Sequence, residues 1–436
     1  MPRRFRTAWS LAALALAAVL GACSEDLQTG GACPTLCPGQ GIVVRDTVIN
    51  PAIVFDTNLV GFPLQGSEDP LLLADRPDTL DVRMVVRYDS LTRVFRRVND
   101  DTLSQIDYID SAYVTLFLTA TNVPTPAQWF IDAYDVYDST LVDTIPSAVL
   151  PLFTPGRFLG TYQGDTAFTD TLRVQVPIDT AYLRVLLNTE ERRLRVGFRV
   201  RSASSVQFNV RPIESGDGPV LTYLPSAVDT IADPDTLART RFTTQPNSLF
   251  PRVPLVLGSD LADYQIVVQA TSEIVPNTFT VGGLPGSRAY LRFELPAWLT
   301  DSVGVLRAQL ELSQHPVTGP SSSDTLRLDG HLVVATGVVT DLRRAATILS
   351  GAGVYMQSTF LIANDSSNVR ILVNPLVRLW NTNNTAAARP TAIILRISDE
   401  GGTPTALRFH SMTATDPALR PRLRVSYVPA GILGQP

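Results

Sequence analysis

The chain has three histidines, His315, His331 and His410. His315 lies in a Gln-His-Pro turn, His331 follows an Asp-Gly dipeptide, and His410 sits beside Phe409 in an alternating run. No two have His-x-x-x-His spacing and no cysteine is near, so the convergent N and S donors of a zinc site are missing. They read as surface or core imidazoles. No Gly-x-Ser-x-Gly elbow and no phosphate-cradling glycine loop occurs. A glycoside hydrolase needs two carboxylates flanking one bond, but aspartate is so abundant that no pair stands out. No enzyme and no cofactor is expected. Asp132, Asp135 and Asp138, and the turn pair Asp233 and Asp235, have the oxygens for a structural calcium, although turn chemistry explains aspartate equally well. Cys33 and Cys37 are three residues apart in a glycine- and proline-rich stretch. They are read as a disulfide closing a small loop, with free thiols as the alternative.

Sugar recognition combines an aromatic platform with polar groups that fix orientation. Trp129 lies in a proline-rich stretch read as a loop, with Pro124, Pro126 and Phe130; it is the tryptophan most open to exposure, with packing as the preferred alternative. Trp298, in Pro-Ala-Trp-Leu, fits either packing or binding, and Trp380, three residues after Val377, fits packing. Arg195, Arg199 and Arg201, preceded by Arg192 and Arg193, form a cationic stripe. Arginine grips carboxylates and phosphates bidentately, so the stripe could meet acidic polysaccharide or lipid headgroups; the alternative is a solvated strand face balanced by aspartates. The candidate ligand contacts are therefore Trp129, Trp298, Arg195, Arg199 and Arg201.

The N-terminus reads as an address. Arg3, Arg4 and Arg6 precede an apolar run, Trp9 to Leu20, too short to span a bilayer and the right size for a signal peptide. It ends Leu20-Gly21-Ala22-Cys23, which resembles the lipobox of bacterial lipoproteins. The resemblance implies cleavage after residue 22 and a lipid on Cys23, followed by a flexible tether over 23–41. Loss of the three arginines takes the net charge from −5 to −8, which with the export signal argues against nucleic acid as a partner. Ser24 in place of aspartate favours the outer membrane or cell surface.

The elements that carry these residues are strands. All 36 cations are arginine, and the 436 residues include 32 prolines. With few Lys and Glu and much Val, Thr, Asp and Pro, this is a vocabulary of strands and turns. Val82, Met84, Val86 and Tyr88 alternate with Arg83 and Arg87; Leu194, Val196, Phe198 and Val200 alternate with Arg195 and Arg199; Ala289, Leu291 and Phe293 alternate with Arg292. One apolar and one wet face is the pattern of antiparallel sheets packed as a sandwich. The run ending Val-Arg-Tyr-Asp at 86–89 aligns with Leu-Arg-Phe-Glu at 291–294, and Tyr223 with Tyr427. These offsets, 205 and 204, agree within one residue. The expectation is an all-β chain with two tandem jelly-roll-like antiparallel β-sandwich domains, at 42–226 and 240–430, joined near 225–235.

The second half runs LRFELPAWL (291–299), VLRAQLELS (305–313), NPLVRLWNT (374–382) and LRFHSMTATDPALRPRLRVSYV (407–428). This order resembles the DNRLRE family of bacterial secreted and surface proteins, related to carbohydrate-binding modules. The first half matches only in part: VVRYDSL (85–91), VTLFLT (114–119) and PVLTY (219–223), without the tryptophan segment. The resemblance implies a jelly-roll sandwich, often attached to glycan-acting or surface proteins. The expected function is a lipid-anchored display of non-catalytic modules that bind polysaccharide. The alternative is a structural or assembly component of the envelope with protein partners.

Overall fold

The computed structural model describes residues 44–50, 52–96, 103–138, 146–226, 241–246, 261–270, 273–301, 303–319, 321–333, 358–375, 377 and 392–429. Cys23, Cys33, Cys37, Trp380, Asp233 and Asp235 lie outside them.

Among the described residues the strands are β1 (Arg45–Ile49), β2 (Ile53–Phe62), β3 (Leu71–Arg76), β4 (Leu80–Tyr88), β5 (Val94–Arg96), β6 (Leu103–Gln105), β7 (Ile109–Ala120) and β8 (Trp129–Asp135). β9 (Phe158–Gly164), β10 (Thr171–Pro177), β11 (Leu194–Ser202), β12 (Val206–Val210), β13 (Val220–Pro225), β14 (Phe242–Thr244), β15 (Asp263–Ala270) and β16 (Thr278–Gly282) follow. The last are β17 (Gly286–Phe293), β18 (Val303–Ser313), β19 (Thr325–Val333), β20 (Thr359–Ile362), β21 (Asn368–Leu372), β22 (Ala392–Ile397), β23 (Ala406–His410) and β24 (Arg422–Pro429). Helices are short: α1 (Pro146–Val149), α2 (Thr180–Leu187) and α3 (Ala297–Asp301). No helix among the described residues is long and apolar enough to cross a membrane.

The fold is all-β, and every paired strand runs antiparallel to its neighbour, as the alternation predicts. In the first body an eleven-stranded sheet, ordered β14-β13-β7-β12-β3-β4-β11-β8-β9 with β10 on β7 and β15 on β4, curls over one core. Val86, Val114, Leu116, Trp129, Phe198 and Tyr223 meet there. In the second body a seven-stranded sheet, β20-β19-β22-β17-β16-β23 with β2 on β17, packs against the four-stranded β1-β24-β18-β21. Leu291, Leu310, Leu328, Leu395, Phe409 and Val425 fill the space between them. Val86 and Leu291 are both 0% exposed, so strand parity is as read from the sequence.

The strand pairing cuts across the expected boundaries at 42–226 and 240–430. β1 pairs β24 and β2 pairs β17, so residues 45–62 build the second body. Reciprocally, β14 pairs β13 and β15 pairs β4, so 242–244 and 263–270 build the first. The leading strands of each half are exchanged between the bodies. The physical reason lies in the repeat. β4 and β17 are the aligned strands, as are β13 and β24, so the two bodies offer near-equivalent edges, and alternation specifies a strand's faces but not which edge it joins. Local sterics support the β2–β17 contact: a Cβ on Gly286 would sit 1.6 Å from the Phe62 carbonyl oxygen.

The bodies are tied by more than the exchanged strands. Leu284 packs with Leu72, Leu80 and Val82. Gln265 accepts from the Leu72 N–H at 2.8 Å and donates to the Gly401 carbonyl at 3.1 Å.

Candidate functional site

Of the expected ligand contacts, Trp129 is corrected first. It is fully buried at the start of β8, its ring 4.7 Å from Phe208 and 5.6 Å from Tyr162. Its Nε1 donates to the Thr166 carbonyl at 3.4 Å. Gly164 on the paired strand makes room, since a Cβ there would come within 2.1 Å of the indole. The signal was present: Trp129 shares its period-two face with Ile131 and Ala133, which places it in the core, not in a loop.

The arginine stripe has the expected parity but not the expected exposure. Arg195 is 1% exposed, with its guanidinium over the Tyr137 ring. The segment around Val149 and Phe153, together with β15, lies over this face of the sheet and forms a second apolar layer with Val85, Val136 and Tyr264. Arg193 donates to Asp89 at 2.7 Å, and Asp89 also holds Arg87. Arg201 donates to Asp132 at 2.6 Å and lies over Phe130. Arg199 stands 3.8 Å from Asp81. The row is thus covered or ion-paired with aspartates. The aspartates once considered for calcium serve the same purpose: Asp132 holds Arg201 and Thr161, and Asp135 holds Arg157 at 3.0 Å.

The structure assembles a different surface on the second body. Trp298 in α3 packs on Tyr427 of β24 with ring centroids 5.0 Å apart and remains 39% exposed. Tyr427 shares the inward parity of Leu423 and Val425 and packs against the core, so Trp298 caps that side; the outer face of the four-stranded sheet is a second polar surface on the same body. Inward positions Ala308, Leu310, Leu312, Leu423 and Val425 fill the core, so Arg307, Gln309, Glu311, Arg422, Arg424 and Ser426 point outward. Arg370 and Asp46 join them through the register with β21 and β1. Glu311 is buried beneath the guanidinium groups of Arg422 at 2.8 Å, Arg424 at 3.0 Å and Arg370 at 3.4 Å. Asp46 accepts from Arg424 at 2.7 Å and Ser426 at 3.1 Å. Three arginines thus pair with two carboxylates, and the Arg370 side chain is 60% exposed. An exposed aromatic plate can stack on the C–H face of a sugar ring, and oriented guanidinium donors can bind hydroxyl or carboxylate oxygens.

The histidines are less scattered than the sequence suggests. The rings of His315 and His410 lie 5.3 Å apart, and burial and the neighbouring His315 push His410 down. His331 is buried and accepts from Arg396 Nε at 3.1 Å; burial and Arg396 hold it neutral, with a pKa of about 4. Two carboxylates missed by the sequence reading, Glu68 and Asp263, lie at the start of the exchanged strand β15. Burial pushes Glu68 up to about 8 and Asp263 up to about 7, and the charge of Asp263 raises Glu68 further. Glu68 accepts from the Gly66 N–H at 2.6 Å and Asp263 from the Ile213 N–H at 2.9 Å. Both are under 5% exposed, closed to any substrate.

No family model matches the chain, and no curated protein matches it. Among solved structures, it is similar to a candidate secreted protein from Parabacteroides distasonis, with 7% identity and a TM-score of 0.23 over 87% of this chain and 99% of that one. It is also similar to the CBM22-1–CBM22-2 tandem domain of Paenibacillus barcinonensis Xyn10C, with 7% identity and a TM-score of 0.17 over 90% and 99% of the two chains. A third likeness is to the M60 catalytic domain with CBM51-1 and CBM51-2 of Clostridium perfringens ZmpB, with 8% identity and a TM-score of 0.15. It covers 84% of this chain and 39% of that one.

Proposed function

We propose that the chain is a lipid-anchored, non-catalytic binding protein of a bacterial surface or outer membrane, and that its second body holds polysaccharide. Trp298, packed at a tilt against Tyr427 yet open to solvent, is the observation that supports this most. The sandwich contributes rigidity: the platform packs against Tyr427 of a core strand, so little ordering entropy is lost when a ligand lands. The lipid on Cys23 holds many copies at one surface, where several weak contacts to one polymer act together.

The test is affinity electrophoresis of the full chain carrying Cys23→Ala against a panel of neutral and acidic polysaccharides. At least one should retard it, and Trp298→Ala should weaken retardation by about tenfold while leaving the circular dichroism spectrum unchanged. Retardation indifferent to Trp298→Ala defeats the platform assignment. Cys23→Ala should also release the protein from membranes in the native host.

A second reading, an envelope component with protein partners, is favoured by β20. It is an edge strand that pairs only with β19 among the described residues, with Phe360 69% and Ile362 46% exposed. An apolar edge of this kind can accept a strand from another chain. Envelope proteins that co-purify with the wild type and are lost with Phe360→Lys, with no polysaccharide retained, would select it.

A further inference from the structure

The seam between the two bodies encloses a half-open cavity of about 290 Å³. The first body contributes Arg76 from the end of β3 and Thr79 and Leu80 from the turn into β4. The second contributes Leu284, Val317, Thr318, Gly319, Ser321, Ser322 and Thr405. Neither body makes the site alone.

Arg76 is the unusual member. It is 7% exposed, and its Nη2 donates to Gln207 Oε1 and, at 2.9 Å, to Ser321 Oγ. Its Nε has no acceptor. Three other buried arginines have carboxylate partners, Arg87 with Asp89 at 2.9 Å, Arg288 with Glu400 at 2.5 Å and Arg408 with Glu273 at 3.2 Å, and Arg195 lies over the Tyr137 ring. Among the described residues no carboxylate forms an ion pair with Arg76. Asp324 bears on it electrostatically, but its oxygens accept from Asn122 Nδ2 at 2.8 Å and Thr405 Oγ1 at 3.0 Å. A guanidinium does not lose its proton in a protein, and a buried charge without a counterion is costly. A cation left incomplete at a cavity wall is a recognition element for an anion.

We propose that this cavity binds a small monocarboxylate, with the carboxylate completing Arg76 and Ser321 and the rest of the ligand lying against Leu80, Leu284 and Val317. The size sets the class: at the low end of ligand pockets, the cavity takes a metabolite and not a polymer. The charge sets the rest. One guanidinium, with Asp324 nearby, suits a single negative charge and disfavours a phosphate dianion. The site is separate from the Trp298 face and does not depend on the polysaccharide reading. Because the ligand touches both bodies, occupancy stabilises their junction by mass action.

The test is calorimetric titration and thermal unfolding of the full chain carrying Cys23→Ala. The probes are butyrate, gluconate and inorganic phosphate. Butyrate and gluconate separate an apolar from a hydroxylated ligand body. At least one of them should bind and raise the unfolding temperature, with phosphate about tenfold weaker or more. Arg76→Gln should reduce carboxylate affinity by about tenfold or more. Because Arg76 is buried and this variant could fail to fold, Thr318→Trp at the exposed rim is the second probe. It fills the cavity, leaves the guanidinium in place and should abolish binding with an unchanged circular dichroism spectrum. Silence from both carboxylates, a preference for phosphate, or binding that survives Thr318→Trp overturns the proposal.

Discussion

Arg195 on β11 and Arg424 on β24 occupy the same kind of position. Each alternates with core residues and points away from the core of its own body, yet Arg195 is 1% exposed while the Arg424 side chain is 37% exposed. The difference lies in what covers each sheet. In the first body, the Val149–Phe153 segment and the exchanged strand β15 cover the far side of β4 and β11, with Tyr264 and Ile266 packed against Val85 and Val136. In the second body, the outer side of the four-stranded sheet presents a charged face whose exposed members include Arg370. The lesson is that a period of two distinguishes two faces but does not say that the polar one is wet. It also explains why the first body, with the longer arginine stripe, is not the one that presents an open arginine face.

The largest test of this comparison removes an exchanged arm. Deleting 44–62 takes one strand from each sheet of the second body. The expected result is loss of cooperative unfolding in that body, restored by adding a 44–65 peptide in trans. A folded 240–436 fragment without the arm would show that the exchange is dispensable. Next in size are Val86→Asp and Leu291→Asp. Each places an unpaired charge at a 0% exposed position, costs several kcal/mol, and should unfold its own body first. Equal loss of both bodies, followed by near-ultraviolet circular dichroism, would mean that the exchanged strands make one cooperative unit.

The two tryptophans sharpen the contrast. Trp129→Ala should cost about 4 kcal/mol in denaturant unfolding, and Trp298→Ala about 1 kcal/mol or less, because its ring is already partly in water. Similar costs would mean that the platform is packing. A further contrast concerns Glu68 and Asp263. Both carboxyls are raised in the folded state, to about 8 and about 7, so between their ordinary values and these the folded chain holds more protons than the unfolded one. Their contribution is therefore fully present in acid and is lost as pH rises toward 8. The unfolding free energy should be larger at pH 5 than at pH 8.5, and Glu68→Gln combined with Asp263→Asn should flatten the difference. An unchanged slope in the double variant would place the titration elsewhere.

Much of the fold was legible from residues alone. Val86, Leu291, Leu310 and Val425 are buried where parity placed them, because a strand's side-chain direction is a local property of the backbone. The repeat was legible for the same reason: β4 and β17, and β13 and β24, carry matching local patterns. The candidate site was legible only in Trp298. The meeting of Trp298 with Tyr427, of Arg370 with Glu311, and of His315 with His410 spans 59 to 129 residues of chain, and no local pattern encodes it.

The amino-acid order by itself determined the strands, their inward faces and the two cores, since alternation and turn chemistry act within a few residues. Only the tertiary structure decided which edge each leading strand joined, which polar faces were covered, and that Arg76 should stand at a seam without a carboxylate partner. These outcomes depend on the competition between near-equivalent edges and on the packing of distant segments, and that free energy exists only once the whole chain is assembled.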